Sequence, residues 1–139
     1  MTSASETPLA PPGFSAVARL SVALLFFSVP HILEDFMLQE PLKRGVPVAM
    51  ISLVVSLLLA TQAQALLWVG QQRRAGMLVH AVLGPVWALA AGSAQLPELF
   101  AAAPYRSGFM SATWVVGIIT IGVGLGVVSA RAWWRSRSN

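Results

Sequence analysis

The chain has 139 residues, of which 56% are hydrophobic and only 10% are charged, whereas soluble domains carry about 25% charged residues. This composition excludes an ordinary soluble domain, and the absence of cysteine excludes disulfides, thiolate metal sites and cysteine redox chemistry. The formal net charge is +4, but the basic residues are scattered at the ends of apolar runs, so we expect no nucleic-acid partner.

The apolar runs predict four membrane-spanning helices. Residues 1–13 are polar and proline-rich, which predicts a disordered tail, and they lack the basic region of a signal peptide, so the helix that follows should stay as a signal anchor. A bilayer-crossing helix needs about 20 apolar residues. We therefore predict an all-α integral membrane bundle over 14–130, with a basic cytoplasmic tail at 131–139 and transmembrane helices near 14–38, 46–70, 76–96 and 108–130.

The distribution of basic residues predicts the orientation. With four crossings, one side of the bilayer carries six arginines and the other carries Lys43, Arg44 and Arg106. Because basic residues are enriched on the cytoplasmic side, both termini are expected in the cytoplasm of a multi-pass protein of the cell (plasma or inner) membrane. The six arginines are Arg19, Arg73, Arg74, Arg131, Arg135 and Arg137.

The stretch SVPHILEDF in the first helix contains the candidate site. His31 and Asp35 lie four residues apart on one helix face, and Glu34 borders that face. Only fourteen uncharged residues separate Arg19 from Glu34, about 21 Å of helix against a hydrocarbon core of about 30 Å. Two interpretations follow. His31, Glu34, Asp35 and Arg106 line a polar pocket in the outer half of the membrane, or the carboxylates end the helix at the interface and pair with Lys43, Arg44 or Arg106.

Metal and cofactor binding stay open at the level of sequence. The predicted depths separate His31 from His80 by on the order of 15 Å, so these two histidines should not share one metal ion. His80 and Gln64 lie almost equally far from the turn between the second and third predicted helices. We therefore expect them to hydrogen-bond across a tight hairpin, as polar side chains do between membrane helices.

Small residues recur every four positions in three of the predicted helices, and such rows permit close helix packing. The packing could lie within one chain, or it could dock the chain on a second copy or on another membrane subunit. The rows are Ser52, Ser56, Ala60 and Gln64; Gly76, His80, Gly84, Ala88 and Gly92; and Gly122, Gly126 and Ala130.

The segment VARLSVALLFFSVPHILEDF resembles the first helix of DoxX-like four-helix membrane proteins. Arg19, Phe27 and His31 stand where that family has an arginine, a phenylalanine two turns later, and a histidine or glycine. Glu34 and Asp35 depart from the family, which usually continues with glycine and lysine. The resemblance implies a small accessory subunit of a membrane complex, and no catalytic role is carried over from it.

These observations lead to two functional hypotheses. The first is a non-enzymatic accessory or assembly subunit that packs through its small-residue faces. The alternative is a protein that binds or transports a small solute, a proton or a cation at His31, Glu34 and Asp35. The sequence contains no P-loop, dinucleotide fingerprint, HExxH motif or nucleophile elbow, so an enzyme is the less favoured interpretation.

Overall fold

The computed structural model describes residues 12–101 and 105–137, and this part of the chain is all-helical. Four long helices and one short one follow each other: α1 (Pro12–Met37), α2 (Glu40–Lys43), α3 (Val48–Gly70), α4 (Arg74–Leu99) and α5 (Phe109–Arg135). All four long helices are long and apolar enough to cross a membrane. The prediction of an all-α chain with four such helices is therefore confirmed.

The ends of the helices differ in detail from the prediction. α4 continues to Leu99 with Pro97 in its last turn, and α5 continues to Arg135, so the first five residues of the predicted basic tail are helical. The short helix α2 was not predicted; it follows Gln39, whose φ of 56° lets the chain turn sharply after α1. Most of the predicted disordered tail (1–11) lies outside the described residues, while residues 12 and 13 already belong to α1.

The helices are arranged around α4, which is the most buried of the four. α4 packs mainly on α5 and then on α3, while α1 packs mainly on α5 and touches α3 and α4 less extensively. Half of the most apolar window of α4 is buried but only 11% of that of α3, so α3 lies at the edge of the bundle. The buried apolar core includes Val17, Leu24, Met77, Trp87, Ile118 and Leu125.

The predicted glycines lie inside the bundle, where they let helix backbones touch. A Cβ atom added at Gly122 would come within 2.7 Å of the Gly84 carbonyl oxygen, and one at Gly84 would come within 2.7 Å of the Gly126 amide nitrogen. Gly76 brings α4 onto α3 in the same way, 2.7 Å from the Ala65 carbonyl oxygen. Gly84, Gly122 and Gly126 are therefore packing residues within one chain.

A buried chain of hydrogen bonds joins α1, α3 and α4. The Trp87 indole N–H donates to Gln62 Oε1 (2.7 Å), and Gln62 Nε2 donates to the hydroxyl oxygen of Ser21 (3.3 Å). His80 Nδ1 lies 2.8 Å from the Gly76 carbonyl oxygen. Since a carbonyl only accepts, Nδ1 carries the proton, and His80 Nε2 accepts from the Ser21 hydroxyl at 2.8 Å.

The predicted pairing of Gln64 with His80 is wrong. Gln64 is exposed on the outer face of α3, whereas Gln62 is fully buried and takes part in the hydrogen-bond chain that contains His80. Two residues along a helix correspond to a rotation of about 200°, so only one of these glutamines can face the bundle. Two small residues of the predicted row on α3, Ser56 and Ala60, face outward together with Gln64.

Candidate binding site at the mixed-charge end

Charged residues are distributed very unevenly between the two ends of the bundle. The acidic residues of the described part all lie at one end. Asp35, Glu40 and Glu98 form a network of ion pairs with Arg106, Arg44 and Lys43, and Glu34 lies beside this network, hydrogen-bonded to Ser111. We call this the mixed-charge end. The opposite, arginine end has no acidic residue within the described ranges, and it holds Arg73, Arg74, Arg131, Arg135 and Arg137.

Arg106 is the centre of the mixed-charge end. It lies in the connection before α5, where it adopts a φ of 38° and Gly108 a φ of 76°. This turn directs its side chain into the bundle, where only 5% of it remains exposed. Arg106 forms an ion pair and a hydrogen bond with Asp35, and it lies 3.6 Å from carboxylate oxygens of Glu40 and Glu98.

The charges around Arg106 keep its guanidinium ionised. Burial lowers its pKa, but Asp35, through its charge and hydrogen bond, and Glu40, through its charge, outweigh burial and raise the pKa above the ordinary value. A guanidinium buried to this extent is stable only when carboxylates surround it. Arg106 thus ties the last connection to α1, α2 and α4 at once.

His31 and Asp35 meet through Gln95 of α4. Gln95 Nε2 lies 3.4 Å from Asp35 Oδ2, to which it donates, and 3.3 Å from His31 Nε2. The Tyr105 hydroxyl donates to Gln95 Oε1 at 2.5 Å, and burial raises the pKa of Tyr105 to about 12. His31 Nε2 itself lies 3.7 Å from Asp35 Oδ2, within ion-pair range but too far for a hydrogen bond.

Glu34 is held separately from His31 and Asp35. Its carboxylate accepts a hydrogen bond from the Ser111 hydroxyl of α5, and the Ser107 amide donates to the same hydroxyl oxygen at 3.1 Å. The other oxygen of Glu34 is buried and has no hydrogen-bond partner among the described residues, and the same holds for His31 Nδ1. Within the described ranges, no three side chains of the ligating types converge to hold a metal ion.

The outer part of the network is more exposed. Arg44 donates to Glu98 at 2.5 Å and to the Ala94 carbonyl at 3.1 Å, which fastens α2 to α4. Lys43 donates to Glu40 at 2.9 Å, and this hydrogen bond lowers the pKa of Glu40. These pairs make the loop between α1 and α3 part of the wall of the site.

A cavity of about 230 Å³ opens between α1, α3 and α4 beside this network. Polar side chains line one end of it, namely those of His31, Asp35, Glu40, Arg44 and Gln95. The remaining wall is apolar and is formed mostly by Ile51, Val54, Val55, Leu58, Ala90 and Ala91, with Trp87 among the lining residues. The cavity exists because α3 packs on α4 and leaves α1 only partly covered.

The structure brings together three of the four predicted ligand-binding residues. His31, Asp35 and Arg106 belong to one network, whereas Glu34 contacts Ser111, and of these residues only His31 and Asp35 line the cavity. Sequence reasoning missed Gln95, although the predicted helix at 76–96 contains it, and Tyr105, which lies in the connection after that helix. The signal that could have found Gln95 is its position four residues after Ala91, on the buried face of α4.

No protein-family model, no curated protein and no solved structure matches the chain. The resemblance of the first helix to DoxX-like proteins therefore stays a prediction. Function has to be argued from the geometry of the cavity and the mixed-charge end.

Proposed function

We propose that the chain is an integral membrane protein that binds a small amphipathic molecule without chemically changing it. The observation that carries this proposal is the cavity, which joins a polar end at His31, Asp35 and Gln95 to apolar walls. Ligand sites are typically mostly apolar and have a few placed polar groups that orient the ligand. The ligand's hydrogen-bonding group lies at the polar end and its apolar body lies against α3 and α4.

The size of the cavity limits the ligand. An engineered cavity of about 150 Å³ in another protein holds one benzene molecule. A volume of about 230 Å³ therefore accommodates a single ring with short substituents, or a short chain of comparable size. A larger amphiphile would leave part of its body between α1 and α3, in the surrounding lipid.

The proposed orientation places both termini in the cytoplasm of a cell membrane and the mixed-charge end on the outer side. The contrast between the arginine end, with five arginines and no described acidic residue, and the mixed-charge end supports this assignment. An accessory role through the glycine rows has less support, because Gly84, Gly122 and Gly126 are covered within the chain.

The test compares two neighbouring residues of α4. Ala90 lines the cavity, whereas Leu89 is 70% exposed and does not line it. Ala90→Phe places a ring in the cavity, and Leu89→Phe adds a ring on the outer face. Native mass spectrometry of protein extracted gently from its membrane should show a bound small molecule in wild type and Leu89→Phe but not in Ala90→Phe.

A second variant tests the polar end of the cavity. Asp35→Asn removes a charge but keeps the shape of the side chain, so the ligand should bind more weakly. The same change weakens the ion pair with Arg106 and should lower the free energy of unfolding, so binding is compared under conditions in which the variant stays folded. An identical set of bound masses in wild type, Ala90→Phe and Asp35→Asn would contradict the proposal.

A further inference from the structure

The outer face of α3 carries a long polar side chain, that of Gln64, which the fold leaves unpaired. Gln64 is exposed, and among the described residues no hydrogen bond reaches its amide. Thr61, which is also exposed on α3, differs because its hydroxyl donates to the Leu57 carbonyl of its own helix at 2.7 Å. Gln64 is therefore a polar group on this face that the chain itself does not satisfy.

The depth of Gln64 makes this exposure costly in a bilayer. α3 runs from Val48 to Gly70, so Gln64 lies five residues, about 7.5 Å, from the helix midpoint and well within a hydrocarbon half-layer of about 15 Å. Helical side chains tilt toward the helix N-terminus. The amide is therefore carried toward the centre of the bilayer and away from the nearer interface.

The residues around Gln64 form a continuous seam on the same face. They recur at alternating spacings of three and four, which is the period of a helix that packs along another helix. The pocket-lining residues of α3 (Ile51, Val54, Val55 and Leu58) lie on a different face. The seam, all exposed, comprises Met50, Leu53, Leu57, Ala60, Gln64, Leu67 and Gln71.

We propose that this α3 seam is the interface of a homodimer in which the Gln64 amides of two copies hydrogen-bond to each other. Two copies in one bilayer have the same orientation, so a two-fold axis along the membrane normal brings Gln64 of each copy to the same depth. An amide both donates and accepts, so the symmetric pair satisfies each side chain with the same group. Ala60, one turn away, leaves room for close approach of the helices.

This proposal rests on the proposed membrane insertion but not on a ligand in the cavity. It makes the α3 seam, rather than the covered glycine rows of α4 and α5, the surface through which copies of the chain associate.

The first test is site-directed disulfide cross-linking. Because the sequence contains no cysteine, each introduced cysteine is the only one in its chain. Single cysteines at Ala60 and Leu67 on the seam are compared, after oxidation in native membranes, with a cysteine at Leu89, which is 70% exposed on α4. We expect disulfide-linked dimers at the two seam positions and none above background at Leu89. Equal yields at all three positions, or cross-links only to a different protein, would overturn the proposal.

The second test measures the role of the amide. Full-length chains labelled with donor and acceptor dyes are reconstituted in vesicles, and energy transfer is followed as lipid dilutes the protein. Gln64→Leu should weaken the dimer by about 3- to 30-fold, the range expected for one hydrogen-bonded polar pair in a membrane. Gln64→Asn, which keeps an amide, should recover part of the loss.

Gln71→Leu is the matched control, because it removes an amide from the end of the same seam, just beyond α3. It should change the dimerisation constant less than about twofold. An unchanged constant in Gln64→Leu would overturn the proposal. Failure of the chain to remain in the membrane fraction after carbonate extraction would instead contradict the proposed membrane insertion.

Discussion

Replacement of Gly122 by alanine tests whether the backbone contact between α4 and α5 limits the stability of the fold. The added Cβ would lie 2.7 Å from the Gly84 carbonyl oxygen, 3.2 Å from the Ala88 Cβ and 3.3 Å from the Ala88 amide nitrogen. Ordinary van der Waals contact begins at 3.4 Å, so α4 and α5 must separate by about 0.7 Å at this point or tilt relative to each other. The nearest obstacle is backbone, which cannot rotate away as a flexible side chain does.

The magnitude follows from the contacts that such a separation opens. A gap of this size forfeits a quarter to a half of each interatomic attraction of 0.1–0.2 kcal/mol, so opening about 20 atom pairs costs roughly 1 kcal/mol. Overpacked cores lose about 1–3 kcal/mol in general. We therefore expect Gly122→Ala to lower the free energy of unfolding by about 1–3 kcal/mol.

Gly124 provides a matched control on the same helix. A Cβ at Gly124 meets nothing within 4 Å, and alanine is the better helix former by up to about 1 kcal/mol. Gly124→Ala should therefore leave stability unchanged or raise it. Both variants are measured by reversible unfolding in mixed micelles. Equal unfolding free energies for Gly122→Ala and Gly124→Ala would refute the assigned contact.

Three further predictions concern the polar groups. Gln62→Leu leaves the buried Trp87 indole N–H without an acceptor, so it should lower the free energy of unfolding by about 1–3 kcal/mol. Gln64→Leu is the control and should leave this free energy nearly unchanged in dilute micelles. Equal losses in the two variants would contradict the described rotation of α3. Arg106→Gln leaves Asp35 without its ionic partner and should cost about 2–3 kcal/mol, below the usual range for a buried pair because Asp35 is still 26% exposed. Arg131→Gln is the control at an exposed site. A comparable loss of unfolding free energy in Arg131→Gln would contradict the stabilising role assigned to the ion pairs of Arg106. Tyr105 is the single tyrosine, so ultraviolet absorbance titrates it alone, and its ionisation midpoint should lie near 12 rather than near the ordinary value of about 10. Because the folded chain holds this proton more tightly, the stabilisation is complete below about pH 10 and is lost as the pH rises toward 12; a midpoint near 10 in the folded protein would contradict the burial of the hydroxyl.

The four long helices could be predicted because their apolar runs are longer than a bilayer crossing requires. Sequence hydropathy alone does not, however, fix the rotation of a helix that is apolar nearly all the way round. α3 is such a helix, and it offers Gln62 and Gln64 on opposite sides. Turn geometry favoured Gln64 as the partner of His80, but tertiary packing placed Gln62 inside, where Trp87 and Ser21 satisfy both ends of its amide.

Only part of the candidate site could be predicted from the sequence. The spacing of His31 and Asp35 placed them on one helix face, and Arg106 was among the expected partners of the carboxylates. The contribution of Gln95 was missed although the predicted helix contains it, because the sequence does not show that this face of α4 turns toward His31 and Asp35. The sequence also gave no sign that Glu34 and Asp35, which are adjacent, would turn to different partners on α5 and on the connection before it.

The hydrogen-bond chain from Trp87 to Gly76 has a consequence for the rotation of α3 about its own axis. An indole N–H can only donate and a carbonyl oxygen can only accept. The two ends of this series of hydrogen bonds therefore fix which group donates and which accepts at every step between them. If α3 docked with Gln64 inward, the Trp87 N–H would be buried without a partner, at a cost of about 1–3 kcal/mol. The network thereby favours one rotation of α3 about its own axis, namely the one that turns Gln62 toward Trp87 and Ser21.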